Sequence, residues 1–396
     1  MCIRDRNRGD GMDRRTAGRA GWLALAAGIW IWAGSGMALG AEPAAQALES
    51  RFILRYEELE ERIKAENPQT EMERIPYESR IAALEEAKAD LVETRKFLRS
   101  EASDREDAGD AAGADHYRGQ ADTLEDAVKD IEKQLRQAQG VSQRMELSRL
   151  EDRMAWTAQS LMGTYNTLKL DHMAAQAEAE LAKCQYEQAK HRAAVGGASE
   201  KEVQEALLLA QDRENQAAAL GAEMERTRAE LLLLAGFAPE EAVDVGTLPI
   251  PDASRLDAMQ PETDKRKALG NNYELQEQRH ASFSGTNKEL HARQRDIAQS
   301  EEEMYARLVS LYQAALESRS LSQAASEGMA AGEAAWRAAS HKWDLGMLSR
   351  QEYLEARQEY LRRAAEKGKA DIQLQLAMDE YAWALEGLMR LSLIHI

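Results

Sequence analysis

The sequence predicts an all-α protein made of two related, long, antiparallel helical hairpins of the coiled-coil type. Three observations indicate this fold. Charged residues form 30% of the chain and aromatic residues only 6%, which is typical of long helices rather than of a mixed globular core. No proline lies between Pro76 and Pro239 or after Pro261, so helices can run through both intervals. A segment around residue 196 also recurs around residue 346.

The spacing of apolar residues predicts where these helices pack. Small and apolar residues recur at alternating intervals of three and four positions, which places them on one helix face. Because many are alanines, we expect the helix backbones to approach closely. The longest such seam consists of Val203, Ala206, Ala210, Arg213, Ala217, Leu220, Met224, Thr227, Leu231 and Leu234.

Both ends of the chain have an unusual origin. One short DNA sequence encodes Met1–Arg6 when read forward, and its reverse complement encodes Leu391–Ile396. We interpret both hexapeptides as remnants of a sequencing adapter and leave them out of the fold prediction. The natural start is then Met12.

The residues after Met12 predict an export signal. Arg14, Arg15 and Arg19 precede an apolar stretch, and small residues follow it around Ala38. This order is that of a cleavable signal peptide, so residues 1–40 comprise the adapter remnant and the signal, and the exported protein begins near residue 41. An uncleaved anchor is the alternative, because the uncharged stretch approaches the roughly 20 residues of a spanning helix. Either way, we expect a location in the cell envelope.

Charge and composition exclude several classes of function. The net charge of −18 argues against a nucleic-acid partner, since such binding depends on Lys and Arg neutralising phosphates. With Cys2 assigned to the adapter, Cys184 has no partner for an internal disulfide. The histidines lack the spacing of a metal site, and no glycine-rich phosphate loop follows a strand. We therefore predict a non-enzymatic protein without metal or cofactor.

The repeat is the most informative feature of the sequence. Residues 186–206 align without gaps to residues 336–356, at an offset of 150 positions. Identical residues meet at seven positions, and they include the histidine, glycine, serine and glutamate that shape a helix end. The identical pairs are Ala189/Ala339, His191/His341, Gly196/Gly346, Ser199/Ser349, Glu202/Glu352, Glu205/Glu355 and Ala206/Ala356.

Each copy has the chemistry of a tight turn between two helices. A glycine ends the first helix because it adopts the left-handed conformation at low cost, and the preceding histidine favourably meets the helix dipole. Three residues later a serine starts the next helix, and a glutamate completes a capping box. The repeated segments therefore predict the tips of two αα-hairpins, near residues 196 and 346.

These tips resemble those of TolC-type outer-membrane efflux ducts. His341–Ala356 is a close match to that family's tip, and Arg192–Ala206 is a looser one. Leu231–Gly236 is similar to the close of the family's first repeat, and Asn67-Pro68 to an early feature of it. The resemblance extends over residues 145–390, and more weakly from residue 46. We divide the chain into a first helical repeat (41–238), a linker (239–261), a second helical repeat (262–390) and the terminal adapter remnant (391–396).

The resemblance implies a quaternary structure and partners. Trimers of that family pack their hairpins into a hollow α-barrel, and a periplasmic adaptor (membrane fusion) protein of an inner-membrane pump docks at the tips. The implied docking residues are Gly196, Ser199, Gly346 and Ser349, and the implied aperture residues are Glu202, Trp343, Glu352 and Glu355. Helix chemistry also explains them: the glycines are C-caps, two glutamates complete capping boxes, Glu355 lies on a solvated face, and Trp343 packs at the tip.

One departure from the family concerns its membrane-spanning strands. Members insert two β-strands per repeat into a transmembrane barrel. The corresponding segments here are Arg99–Gln120, which is acidic and punctuated by glycines, and Ala281–Thr286. Neither alternates apolar and polar residues over the roughly ten positions that a lipid-facing strand needs. We therefore expect a loop and a short turn in a relative without barrel strands, which counts against insertion in an outer membrane.

Two classes of function follow from these features. The first is a TolC-like duct component of a tripartite-type efflux system, forming a homotrimer. The second is a structural or adhesive coiled-coil protein of the cell envelope with no pore. Both retain the hairpins, and they differ in whether the tips dock on an adaptor.

Overall fold

The computed structural model describes residues 52–238 and 241–389, which lie within one compact unit, Ser50–Ile396. The predicted signal peptide and both predicted adapter remnants lie outside the described residues. None of the helices in this part of the chain combines the length and the apolar character needed to cross a bilayer.

The described residues confirm the all-α prediction, since ten helices account for most of them and only two strands of three residues occur there. In chain order the elements are β1 (Phe52–Leu54), α1 (Leu59–Glu66), α2 (Pro68–Asp107), α3 (Ala111–Ala138), α4 (Val141–Ala194), α5 (Glu200–Leu234), β2 (Val243–Val245), α6 (Ala253–Asp257), α7 (Pro261–Asn271), α8 (Tyr273–His280), α9 (Asn287–Asp344) and α10 (Arg350–Glu386).

Four long helices form one layer in the order α5, α4, α10, α9. Helices α4 and α5 form the first hairpin, α9 and α10 form the second, and α4 packs on α10. The seam predicted along α5 is confirmed, because all ten of its members are half-buried or buried. Small residues alternate with larger ones along this seam, so the two helices of the first hairpin pack closely.

The contact between α4 and α10 joins the two repeats. The helices are antiparallel: Lys369 pairs with Asp171 at 2.6 Å, and Arg357 pairs with Glu180 nearer the tips. Two glycines, Gly368 on α10 and Gly163 on α4, allow the two helices to approach closely. A Cβ on Gly368 would lie 2.6 Å from Leu170 Cδ1, so the leucine occupies the space that a larger residue would fill. Since the helices are antiparallel, both hairpin tips lie at the same end of the layer.

The opposite end, where α5 and α10 terminate, holds the main hydrophobic core, and we call it the base. Two clusters of buried side chains form this core, one mostly from the first repeat and one from the second, and each fully buried leucine, isoleucine or methionine in them stabilises the fold by about 1.5–3 kcal/mol. Prominent members are Leu59, Ile63, Met162, Leu231 and Leu232 in the first repeat, and Leu275, Met304, Leu308, Met378 and Tyr381 in the second.

Buried asparagines connect helix ends at the base. Asn67 is fully buried and caps α2, because its Oδ1 accepts hydrogen bonds from the backbone of Gln69 and Thr70. Its Nδ2 donates to the carbonyl of Leu234 at the end of α5, 2.7 Å away. Asn272 acts in the same way in the second repeat: it caps α8, and its Nδ2 donates to Met389 O at 2.6 Å. In each repeat one amide thus caps a helix and also donates to a carbonyl at, or just after, the end of another helix.

A short parallel ladder lies beside the first cluster. Strand β1 pairs with β2, with Ile53 opposite Asp244. Strand β2 and helix α6 both belong to the segment 239–261, which we predict as a linker. A charged network ties this segment to α10: Asp379 accepts hydrogen bonds from Tyr56 at 2.6 Å and from Arg255 at 2.7 Å. Burial and the neighbouring carboxylate of Asp379 raise the pKa of Tyr56 far above its usual value, so its hydroxyl stays protonated.

The prediction of a loop at Arg99–Gln120 is wrong. Apart from a turn at Ala108–Asp110, this stretch belongs to α2 and α3, which form a third hairpin. Asp110 provides the N-cap of α3 by accepting from Gly113 N at 3.0 Å. The acidic residues and glycines suggested a loop, but packing of α2 on α3 overrides those weak local preferences. The turn expected at Ala281–Thr286 is present between α8 and α9.

We predict that two glycines with the same backbone conformation differ in their tolerance of alanine. Gly196 and Gly236 both have φ of 77°, but a Cβ on Gly236 would lie 2.5 Å from Glu66 O, whereas open space surrounds Gly196. Gly196→Ala should cost about 1 kcal/mol of unfolding free energy from the left-handed conformation alone. Gly236→Ala should cost at least about twice as much, because the backbone must shift. Urea unfolding of both variants measures this, and equal costs would contradict the packing at the base.

Candidate functional site at the hairpin tips

The two tips have the same backbone design. In the first, α4 ends at Ala194 and α5 begins at Glu200; in the second, α9 ends at Asp344 and α10 begins at Arg350. Gly196 and Gly346 have φ of 77° and 69°, in the left-handed region that glycine adopts readily.

The hydrogen bonds that close the two turns also correspond. Gly197 N donates to Arg192 O at 2.7 Å, and Met347 N donates to Lys342 O at 2.9 Å. These bonds satisfy helix carbonyls that would otherwise lack partners. The tips are therefore defined turns rather than frayed helix ends.

Both predicted capping boxes are confirmed. In the first, Glu202 N donates to Ser199 Oγ at 3.3 Å, and Ser199 N donates to Glu202 Oε2 at 3.0 Å. In the second, the corresponding bonds between Ser349 and Glu352 measure 3.3 and 2.8 Å. The hydrogen bonds from the backbone N–H and the hydroxyl of Ser349 hold the pKa of Glu352 below its ordinary value of 4.5. Both glutamates thus close their own helices.

The other predicted aperture residues lie on the second hairpin. Glu355 is exposed, and its carboxylate accepts a hydrogen bond from Gln351 of the same helix at 2.8 Å. Trp343 is 38% exposed and lies in the last turn of α9. The structure therefore brings Trp343, Ser349, Glu352 and Gly346 together at one tip, and Gly196, Ser199 and Glu202 at the other.

The sequence reasoning missed an aromatic ladder that braces the second tip. The Trp343 ring stacks on Tyr353 with centroids 4.7 Å apart, Tyr353 contacts Trp336 at 5.1 Å, and Trp336 stacks on Tyr360 at 5.8 Å. The sequence does contain a signal for this ladder. Trp336 and Trp343 are seven residues apart on α9, and Tyr353 and Tyr360 are seven residues apart on α10, so each pair lies on one helix face. The corresponding residues of the first hairpin are Tyr186, Ala193, Val203 and Ala210, so the first tip has no such ladder.

Apolar side chains beyond the ladder face solvent. Leu345 is 58% exposed and Met347 is 72% exposed, on either side of Gly346. At the first tip Val195 is 83% exposed. Among the described residues no cluster of histidine, cysteine or acidic side chains has the arrangement of a metal site. What the tips offer chemically is contact surface.

Comparisons with known proteins give a likeness in fold. No protein-family model matches the chain, and no curated protein matches it in sequence. The outer membrane protein VceC from Vibrio cholerae aligns at 12% identity and a TM-score of 0.45, over 84% of this chain and 96% of that one. A membrane protein from Pseudomonas aeruginosa aligns at 13% identity and 0.46, over 88% and 99%.

A third structure is more distant. The outer membrane channel CmeC from Campylobacter jejuni aligns at 14% identity and a TM-score of 0.38, over 69% of this chain and 68% of that one. The chain is similar in fold to TolC-type channels. The docking and aperture roles of the individual tip residues stay predictions.

The capping box should make the second tip sensitive to acid. Because the pKa of Glu352 is lowered on folding, its contribution to stability is present above the unfolded value and is lost as pH falls through the lowered folded value. A carbon-13 titration of the Glu352 carboxyl should therefore give a pKa below 4.5. In Ser349→Ala, which loses the hydroxyl but keeps the backbone N–H, the pKa should rise part of the way back. An unchanged pKa in that variant would contradict the cap.

The aromatic ladder should make the second tip more sensitive to truncation than the first. Tyr353→Ala removes two ring contacts, each worth about 0.5–1.5 kcal/mol beyond simple burial. Val203→Ala, at the corresponding position of the first hairpin, removes none. Hydrogen exchange of the tip amides should accelerate by about tenfold or more in the Tyr353 variant relative to the Val203 variant. Equal acceleration at both tips would show that the ladder does not brace the turn.

Proposed function

We propose that this protein is a TolC-like duct component of an export system in the cell envelope and is not an enzyme. The observation that carries this proposal is the open layer α5–α4–α10–α9, whose two hairpin tips lie at one end. Within the described residues, neither α5 nor α9 packs a second long helix of the layer on its outer side. A layer with two unpartnered edges closes if the α5 of one copy packs on the α9 of the next.

The outer faces of both edge helices suit such a contact. On α9, Ala324, Ala331 and Ala338 are exposed and seven residues apart, with Leu321 exposed in the same seam. On α5, Leu208, Ala218 and Ala222 are exposed. Small residues let helices approach closely, and the exposed leucines gain burial when the edges meet. The resemblance to TolC-type ducts supports three copies in the closed ring.

In this assembly the tips form one rim. Exposed Val195, Leu345 and Met347 supply apolar contacts there, on turns that the capping boxes hold in place. The partner that this rim fits is the hairpin end of a periplasmic adaptor protein, which would connect the duct to an inner-membrane pump. Gly196, Ser199, Gly346 and Ser349 position that rim, and Glu202, Trp343, Glu352 and Glu355 lie at its opening.

One observation favours the alternative, a structural or adhesive coiled-coil protein without a pore. The α2–α3 hairpin packs on the rest of the chain only near its start, and a stalk of that kind needs no channel. Such a protein would have no use for an apolar rim at Met347, so adaptor capture separates the two functions.

Adaptor docking is tested with two methionines of nearly equal exposure. Met347 is 72% exposed at the second tip, and Met72 is 74% exposed on α2. Met347→Glu should lower capture of a co-expressed periplasmic adaptor by at least about tenfold, because a charge replaces an apolar contact. Met72→Glu should leave capture unchanged. Circular dichroism checks that both variants are folded.

Solute efflux by cells carrying each variant should follow capture. Full capture and efflux with Met347→Glu would contradict the duct proposal and leave the structural function as the better account.

A further inference from the structure

A cavity of about 450 Å³ opens at the base, where α4, α10 and α9 lie side by side. Helix α10 is the middle one of the three, and its buried residues Trp383 and Ala384 form the floor. Arg153 of α4 and Arg307 of α9 line the cavity on either side of that floor. Cavities of roughly 300–1,000 Å³ are the size that proteins use to bind small organic molecules.

The pattern of burial places this cavity on the face of the layer that the short helices leave uncovered. Arg153 and Met162 are nine residues apart on α4, about two and a half turns, so they lie on opposite sides of the helix. Met162 is fully buried in the cluster that contains Leu59 of α1. On α10, Glu380 lines the cavity, whereas Met378 is buried in the other cluster. A ligand can therefore enter without displacing α1 or α7.

The inner part of the cavity is apolar and aromatic. The Trp383 ring is held in place, because its Nε1 donates a hydrogen bond to Gln159 Oε1 at 2.7 Å. It therefore presents an aromatic surface to the cavity rather than a free donor. The apolar part of a ligand would gain burial against this surface. The other apolar residues of the lining are Trp156, Leu311, Ala384, Leu388 and Met389.

The two arginines of the cavity lack partners. Within the described part of the chain, neither Arg153 nor Arg307 forms an ion pair or a side-chain hydrogen bond. Carboxylates are not scarce, since the chain has 69 acidic residues and 51 lysines and arginines. A second cavity, of about 440 Å³ beside Tyr273, differs in this respect, because its Arg149 pairs with Glu274 at 3.3 Å. The guanidinium groups of Arg153 and Arg307 are therefore free to bind an anion.

The remaining polar groups of the cavity narrow the class of ligand. Thr157 donates its hydroxyl to the Arg153 carbonyl at 2.8 Å, so the arginines supply the hydrogen-bond donors. Glu380 also lines the cavity and forms no ion pair with the other described residues. Two guanidinium groups and one carboxylate leave a single positive charge in excess. A ligand with one negative charge matches this balance better than a dianion does.

We propose that this cavity binds a small amphipathic organic anion, with one negative charge on an aromatic or alicyclic body. The guanidinium groups of Arg153 and Arg307 hold its carboxylate or sulfonate, since a planar guanidinium can donate two parallel hydrogen bonds to such a group. Trp156, Trp383 and Leu311 cover its apolar part. The inference goes beyond the proposed function, because binding here needs neither a closed ring nor an adaptor.

The test uses two fluorescent dyes with the same ring system. Anilinonaphthalene sulfonate carries one negative charge, and phenylnaphthylamine is the same body without the sulfonate. In fluorescence titrations of the full chain, Arg153→Gln and Arg307→Gln should each raise the dissociation constant of the sulfonate about tenfold, because a charged hydrogen bond is lost. Both variants should bind the neutral dye as the wild-type chain does.

Two further variants separate charge recognition from damage to the cavity. Glu380→Gln should tighten sulfonate binding about threefold, because a like charge leaves the cavity. A merely disrupted site would not bind more tightly. Arg144→Gln, nine residues before Arg153 and thus on the opposite side of α4, should leave both dyes unaffected. Circular dichroism checks that all the variants are folded.

Sulfonate binding that is absent from the wild-type chain, or that survives both arginine substitutions, would overturn the proposal. A weaker affinity in Glu380→Gln would do the same. The headgroup of an anionic lipid is the other source of this chemistry, and we expect no flotation of the chain with phosphatidylglycerol vesicles. If the wild-type chain floats with those vesicles and Arg153→Gln does not, the cavity holds a lipid and the proposal of a small solute is wrong.

Discussion

Helices α4 and α10 come from different repeats, and their antiparallel contact joins the two hairpins into one layer. The contact depends on small residues at the crossing: Gly368 accepts Leu170, and Gly163 accepts Leu376. Ion pairs such as Lys369–Asp171 follow the same seam. Because this contact is antiparallel, a helix that ends at a tip lies beside one that begins there. Both tips therefore reach the same end, and the outer helices α5 and α9 become edges.

The ends of the helices are satisfied differently at the base and at the tips. At the base they are buried, and side chains from distant parts of the chain, Asn67 and Asn272, supply the missing hydrogen bonds. At the tips they are exposed, and neighbouring residues supply them through glycine turns and capping boxes. A tip closed in this way needs no contact with the rest of the layer, since even the ring contact of Trp343 with Tyr353 lies within its own hairpin. Its outward side chains are therefore available to a partner.

The two repeats share this chemistry but differ where they face other molecules. The second tip has an aromatic ladder beneath Leu345 and Met347, whereas the first tip has small residues around Val195. The first repeat alone carries the α2–α3 hairpin. In a closed ring the rim would alternate two kinds of tip, and the opposite end would carry one hairpin per copy. The two repeats therefore share one helical framework, and they differ in the α2–α3 hairpin and at the tips, the surfaces that we propose contact other molecules.

The sequence by itself determined the helices, the seam along α5 and the two tip turns. Those features depend on residues a few positions apart, such as Ser199 and Glu202, so local spacing predicts them. Only the tertiary structure decided the role of Asn272, the pairing of β1 with β2 and the helical state of Arg99–Gln120. Each of these depends on partners that are distant in sequence or on packing of α2 against α3. Local preferences of acidic residues and glycine are weaker than such packing, so they misled the prediction there.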